Sequence, residues 1–174
     1  MKVLCLAVIL GLVLGFGPGV EGASAELGPA PVKAAAAILL KIVAFEKNLS
    51  EGGGDITLYV WGDAEMAAEF EKALGIAIGK AKLGQVLSGN AAPTSAPELL
   101  YVGSGADVAA AVEYSRASSI LSITNAPALL AQGVSLGVGQ GSDGKAVVIL
   151  NPDASAKEGL DWNPAIMKVA KIVK

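Results

Sequence analysis

The sequence has no histidine and a single cysteine, Cys5. Without histidine, neither a Ser-His-Asp nor a Cys-His catalytic set can form, and a zinc site of the usual Cys/His kind is excluded. The lysines are scattered and the net charge is −3, so the electrostatic footprint of nucleic-acid binding is missing. No set of carboxylates, serines and lysines suggests catalysis. We therefore expect a protein without a catalytic site, metal or cofactor.

The first 25 residues have the pattern of a secretory signal. Met1-Lys2 supplies a positive start, Val3 to Leu14 is apolar, and small residues follow at Ala23-Ser24-Ala25. This order predicts a signal peptide over residues 1–25, cleaved near Ala25, and hence a periplasmic protein. The apolar run is too short to span about 30 Å of hydrocarbon as a helix; an uncleaved N-terminal anchor is the alternative.

Residues 26–174 then read as one domain with no cysteine and no membrane span. Alternating apolar and amphipathic segments predict strands separated by helices. The predicted strands cover residues 56–61, 98–102, 119–123, 134–138 and 145–150, and the main helices cover 32–49, 64–74, about 105–115 and a final stretch from Asn163-Pro164. This alternation indicates an α/β fold, a single layered domain with a mixed, mostly parallel sheet flanked by helices. Asp143-Gly144 predicts an antiparallel hairpin over residues 134–150.

Three turns follow predicted parallel strands and are candidate ligand-binding elements. In an open parallel sheet such turns gather at the carboxyl edge, where ligands usually bind. The candidate residues are Gly62, Asp63, Gly103, Ser104, Gly105 and Asn125. Ser104, three positions before Asp107, resembles a helix cap, and Asn125 could cap a short helix through Ala131. A plain strand-to-helix turn is the alternative interpretation of residues 103–105.

Two further features suggest other contacts. The glycine-rich run Gly137 to Gly141 resembles a phosphate-binding loop, but no helix follows it as a dinucleotide site requires. A twisted hairpin explains those glycines more simply. Trp61 and Trp162 are candidate partner contacts because large aromatic residues often anchor interfaces; core packing is the alternative for both.

Several short motifs, in their order, resemble the YfiR family of periplasmic proteins. They are Val32-Lys33-Ala34-Ala35 with Phe45 to Leu49, Val60 to Asp63, Ile120 to Thr124, Gly133-Val134, Ile149 to Asn151, Gly159 to Trp162, and Ile166 to Val173. The resemblance covers nearly all of residues 26–174. It implies an α/β fold without catalysis and a role in repressing a membrane-bound diguanylate cyclase through that enzyme's periplasmic sensor part.

Two departures from the family change what the resemblance implies. Some members sense redox state through cysteine pairs, and residues 26–174 contain no cysteine. The aromatic residues common in the family's first helix are here mostly Ala, Ile and Leu, except Phe45. Thiol-based sensing and an aromatic partner surface on that helix are therefore not carried over.

The leading hypothesis is a periplasmic regulatory protein that modulates a membrane signalling partner, a diguanylate cyclase or similar sensor, by direct contact. The alternative is a periplasmic module that binds a small ligand at the three turns. An enzyme and a structural, filament-associated protein are further alternatives. A homodimer is a second kind of assembly compatible with the sequence.

Overall fold

The computed structural model describes residues 27–173, so the predicted signal peptide lies outside the described residues. Within this range the strands are β1 (Gly28–Pro29), β2 (Gly54–Trp61), β3 (Ala77–Ile78), β4 (Ala81–Gly89), β5 (Leu99–Val102), β6 (Leu121–Thr124), β7 (Leu136–Gln140), β8 (Ala146–Leu150) and β9 (Ala170–Ile172). The α-helices are α1 (Val32–Ile42), α2 (Lys47–Gly52), α3 (Ala64–Glu71), α4 (Val108–Ser118) and α5 (Pro152–Lys157). Short 3₁₀ helices cover Val43–Phe45, Pro127–Gln132 and Pro164–Lys168.

The described strands form one mixed sheet, in the order β3-β4-β2-β5-β6-β7-β8-β9, with β1 paired to β7. The neighbours from β4 to β7 in this order run parallel, as do β8 and β9. The β7–β8 hairpin is antiparallel, and Gly144 in its turn has φ +76°. The fold predicted from sequence, a mostly parallel sheet with an antiparallel hairpin between 134 and 150, is confirmed.

Helices cover both faces of the sheet, which explains why the central strands are continuously apolar. All four residues of β5 are buried. Leu99 and Tyr101 face a core shared with α1 and α3. Leu100 and Val102 face a second core, shared with α4.

The glycine-rich run on β7 lets other segments approach the sheet closely. A Cβ at Gly137 would lie 2.5 Å from Leu130 Cδ1, and one at Gly139 would lie 2.6 Å from Pro127 Cγ. Both partners belong to the 3₁₀ helix Pro127–Gln132. The run is therefore a packing surface for that helix inside a hairpin, rather than a phosphate-binding loop.

The predicted helix over residues 32–49 is interrupted in the structure. α1 ends at Ile42, and Glu46 has extended backbone, with φ −81° and ψ 119°. Glu46 forms a bridge with Trp162, and Asn163 N–H donates to Phe45 O at 2.8 Å. Backbone pairing with a distant segment competes with helical hydrogen bonds here, and local periodicity contains no information about that segment.

The predicted final helix is wrong. Asn163 and Pro164 begin only the 3₁₀ helix that ends at Lys168, and the chain then enters β9, parallel to β8. Ile166, Val169 and Val173 have helical spacing, but β-branched residues also suit a strand. Residues 170–172 form a strand and not a helix because β8 would otherwise have an unpaired edge. Pairing with β9 satisfies the backbone N–H and C=O groups of that edge.

Candidate functional site

Two of the three predicted turns, at Asp63 and Asn125, meet at the hydroxyl of Tyr101, a fully buried residue of β5. The Tyr101 hydroxyl lies 2.6 Å from Asn125 Oδ1 and 3.3 Å from Asp63 Oδ2. Burial, reinforced by the negative charge of Asp63, raises the pKa of Tyr101 far above its usual value. The phenol therefore stays protonated and serves as a donor between the ends of β2 and β6.

Asp63 and Asn125 also bind backbone groups. Asp63 caps α3, because its Oδ1 accepts the N–H of Met66 at 2.9 Å. Asn125 Nδ2 donates to Ala30 O at 3.1 Å. The predicted helix cap at Asn125 is wrong: the 3₁₀ helix after it begins beyond Ala126 without a side-chain cap. The amide of Asn125 instead joins β6 to the segment before α1.

The glycine turns pack against each other, backbone to backbone. Gly103 N–H donates to Trp61 O at 2.8 Å, and Gly105 N–H donates to Gly62 O at 3.2 Å. Gly62 has φ +74°, and a Cβ there would lie 2.3 Å from Ala106 N. The amides of Gly103 and Gly105 are therefore already hydrogen-bonded, so an anion at this edge would need other donors.

Ser104 does not cap the helix that follows it. α4 begins at Val108, and Asp107 Oδ1 accepts the N–H of Ala110 at 3.1 Å. Ser104 is exposed in the turn between β5 and α4. The structure thus brings the predicted residues 62–63, 103–105 and 125 to one edge, and their binding of a ligand stays a prediction.

The two tryptophans lie in different cores. Trp61 is only 3% exposed and packs on the α4 side of the sheet. Trp162 is half-buried against the core beneath α1. Neither indole N–H meets an acceptor among residues 27–173. Contact of Trp61 with a partner would require its indole to leave the core, whereas Trp162 is partly accessible; both contacts stay predictions.

A second polar cluster, which the sequence did not predict, surrounds Glu158 at the amino ends of β6 and β7. Glu158 is fully buried. Its Oε1 lies 2.7 Å from Ser115 Oγ and 2.5 Å from Ser122 Oγ. Its Oε2 lies 2.5 Å from Ser135 Oγ and 3.1 Å from the N–H of Ser122. The carboxyl group thereby joins α5, α4, β6 and the start of β7.

The environment of Glu158 contains hydroxyl and amide donors but, among the described residues, no cationic partner. Burial raises its pKa, and the hydrogen bonds from the serines partly oppose that rise. The sequence signal that could have revealed the cluster is Ser122 within the apolar strand Leu121–Thr124. A buried serine on such a strand needs a polar partner, but the sequence does not say which one.

A cavity of about 320 Å³ opens at the amino ends of β5 and β6, opposite the predicted turns. Its lining includes Glu46, Asn48, Glu98, Ser118 and Ser119. Glu46 is 1% exposed, and its carboxylate accepts the N–H groups of Leu49 and Asp161 at 2.8 and 3.0 Å. The cavity therefore has an acidic wall held rigidly by backbone donors.

Among residues 27–173 no group of three acidic, cysteine or histidine side chains is placed to hold a metal ion. In the same range no helix has the length and hydropathy to cross a membrane.

Similarity to known proteins is clearest at the family level. No curated protein sequence matches the chain significantly. A solved structure, described as a conserved domain protein from Vibrio cholerae O1 biovar El Tor strain N16961, matches with a TM-score of 0.55 and 11% identity. The match covers 83% of this chain and 60% of that one, and at this identity it shows the fold alone. The YfiR/HmsC-like family model matches residues 32–171, from the start of α1 into β9. The chain therefore belongs to the YfiR/HmsC-like family.

Proposed function

We propose that this protein is a periplasmic regulator that binds the periplasmic part of a membrane-bound diguanylate cyclase, or of a similar sensor, and modulates it by direct contact. The observation that carries the proposal is the family match over residues 32–171, which includes both polar clusters and nearly all of both cores. The absence of histidine from the sequence agrees with a role in binding rather than catalysis.

The direct test is a binding measurement between the purified protein and the periplasmic part of a cyclase from the same cells. We expect a stoichiometric complex, and we expect deletion of the gene to raise cyclic-di-GMP. If the two proteins do not associate and deletion leaves cyclic-di-GMP unchanged, the proposal is wrong. A matched control is the chain without residues 1–25, which should accumulate inside the cell and fail to restore regulation.

Export is tested separately by the mass of the protein recovered from the periplasmic fraction. Cleavage near Ala25 predicts a protein that begins at or close to Glu26. An intact N-terminus in the membrane fraction would instead favour an uncleaved anchor. This measurement does not depend on the identity of the partner.

The second candidate function is binding of a small ligand. Asp63, Tyr101 and Asn125 gather polar groups at the carboxyl edge, and the acidic cavity at the opposite edge offers a volume of about 320 Å³. A ligand that binds the native state must raise its melting temperature. We would screen anionic and amine-bearing metabolites for a rise in melting temperature. Each metabolite that gives a rise would then be measured with the variants Asp63→Ala and Glu98→Ala. If only one variant loses the rise, the ligand binds at the edge of the sheet where that residue lies. A screen in which no metabolite raises the melting temperature counts against this function.

A further inference from the structure

We propose that the outer edge of β9, together with the exposed apolar residues beside it, binds an extended acidic segment of a partner protein as an added strand. The proposal rests on the proposed function only in taking the ligand to be a protein. Its new content is the surface, residues 167–172, and the chemistry of the segment that binds there. An added strand obtains affinity from main-chain hydrogen bonds and specificity from alternate side chains.

The backbone of β9 has one paired and one open side. β9 is the last strand of the sheet and pairs only with β8 among the described strands. Val173 N–H donates to Leu150 O of β8 at 2.9 Å. Because backbone groups alternate sides along a strand, Lys171 also directs its N–H and C=O toward β8. The N–H and C=O groups of Ala170 and Ile172 therefore point to the open edge.

Exposed apolar side chains are concentrated next to this edge. Within residues 27–173, six large apolar residues are substantially exposed, and Met167, Val169 and Ile172 are three of them. Their exposed fractions are 54%, 50% and 39%. An apolar group within six consecutive residues, beside unpaired backbone groups, has the composition of a docking surface rather than of ordinary solvated surface.

The charge of this surface selects the kind of partner. Lys168 and Lys171 are exposed, and the sequence from Trp162 to Val173 contains no acidic residue. Neither lysine lies within salt-bridge distance of a carboxylate in the described part of the chain. Although the whole chain carries a net charge of −3, this surface is locally basic and is therefore complementary to an acidic segment.

A second copy of the chain fits this edge poorly. If two β9 strands paired antiparallel about a two-fold axis at their centres, Lys171 would face Lys171 of the other copy. Like charges directly opposite each other destabilise a strand pair. Lysines on edge strands are a known device against self-pairing. Here the same lysines leave the edge open to a partner of opposite charge.

The other edge of the sheet lacks this combination of features. The terminal strand there, β3, is two residues long and covers only the start of β4. The rest of β4 carries a bulge at Gly84, where the pairing with β2 shifts register between Ile56 and Thr57. A bulge twists an edge and makes it a poor template for further pairing. Lys82 on β4 lies 3.3 Å from the carboxylate of Asp55, so its charge is already paired. Leu87, exposed on this strand, is therefore a suitable control position.

The experiment is an NMR titration of the isotope-labelled protein with two synthetic hexapeptides, one alternating valine with glutamate and one alternating valine with lysine. We expect the acidic peptide to shift the amide signals of residues 167–173 and to bind at least tenfold more tightly than the basic peptide. Lys171→Glu should reverse that preference. Equal binding of both peptides, or shifts that avoid residues 167–173, would overturn the proposal.

A backbone variant separates strand addition from simple charge attraction. Ile172→Pro removes an N–H that points outward, and proline is tolerated at such edge positions. We expect this variant to lose peptide binding at least tenfold, whereas Ile172→Val and Leu87→Ala should bind as the original protein does. Unchanged binding by folded Ile172→Pro would refute an added strand. If that variant does not fold, the Lys171→Glu result decides.

The peptide result is independent of the proposed function. A cyclase that fails to bind the original protein contradicts the regulatory proposal, while preference for the acidic peptide at β9 would still stand. A cyclase that binds the original and Lys171→Glu proteins equally would place the regulatory contact elsewhere. Signals of residues 167–173 that shift with protein concentration alone would identify a second copy as the occupant and overturn the proposal.

Discussion

The two polar clusters of this protein use similar groups in different surroundings. Both join a carboxylate to hydroxyl groups, one around Asp63 and Tyr101 at the carboxyl ends of the strands, the other around Glu158 at the amino ends. Asp63 keeps partial access to water, whereas Glu158 is fully buried. The first cluster therefore stays accessible to a ligand, and the second acts as an internal tie between helices and strands.

Removal of the Glu158 carboxyl should have the largest effect. Glu158→Ala leaves the hydroxyls of Ser122 and Ser135 and the N–H of Ser122 without their acceptor, whereas the Ser115 hydroxyl can still donate to Val112 O. Each unsatisfied buried group costs about 1–3 kcal/mol. We expect a loss of roughly 3–5 kcal/mol in the free energy of unfolding, measured by urea denaturation. Glu158→Gln, which keeps one oxygen acceptor, should lose less than half as much. Equal losses would contradict this, because they would mean that a single remaining oxygen acceptor stabilises the cluster no better than none.

The close packing of the turns beside Asp63 depends on Gly62. Gly62→Ala places a Cβ 2.3 Å from Ala106 N at a φ of +74°, so the backbone of two turns must move apart. We expect a cost of more than about 2 kcal/mol, also from urea denaturation. Gly144→Ala is the matched control, with φ +76° but no atom within 4 Å, and it should cost about 1 kcal/mol. Similar costs at both positions would show that the turns are not tightly packed.

Loss of the phenol hydroxyl should have an intermediate effect. Tyr101→Phe keeps the ring, which packs edge-on against Phe70 with centroids 5.7 Å apart, but removes the donor to Asn125. We expect a loss of about 1–2 kcal/mol in unfolding free energy and altered amide signals at residues 62–63 and 125. An effect confined to β5 would contradict the link between the turns.

The smallest expected effect is a dependence of stability on pH, because the serines partly offset the burial of Glu158. Burial raises its pKa above the ordinary value of 4.5. The folded state therefore binds this proton more tightly than the unfolded state does, and the resulting stability is present below pH 4.5 and lost as pH rises through the folded pKa. Unfolding free energies measured across this range should fall with pH more steeply for the original protein than for Glu158→Gln. Parallel curves would contradict a raised pKa.

The predictability of the two clusters from sequence differs for a physical reason. Asp63 and Asn125 follow strands directly, and parallel strands bring their carboxyl ends to one edge, so their proximity could be predicted. Glu158 lies beyond α5, and its partners are 23 to 43 residues away. No periodicity connects a carboxylate after one helix with a serine on another, so only the folded structure could identify this cluster.

The sequence by itself determined the class of the fold, the β7–β8 hairpin and the absence of histidine chemistry, because apolar periodicity, turn residues and composition are local properties. Only the tertiary structure decided that Glu46 interrupts the first helix and that residues 170–172 form a strand. In both places a distant segment offers backbone hydrogen bonds: the Trp162 segment at Glu46 and the edge of β8 at residues 170–172. Those bonds outweigh a weak local preference for helix.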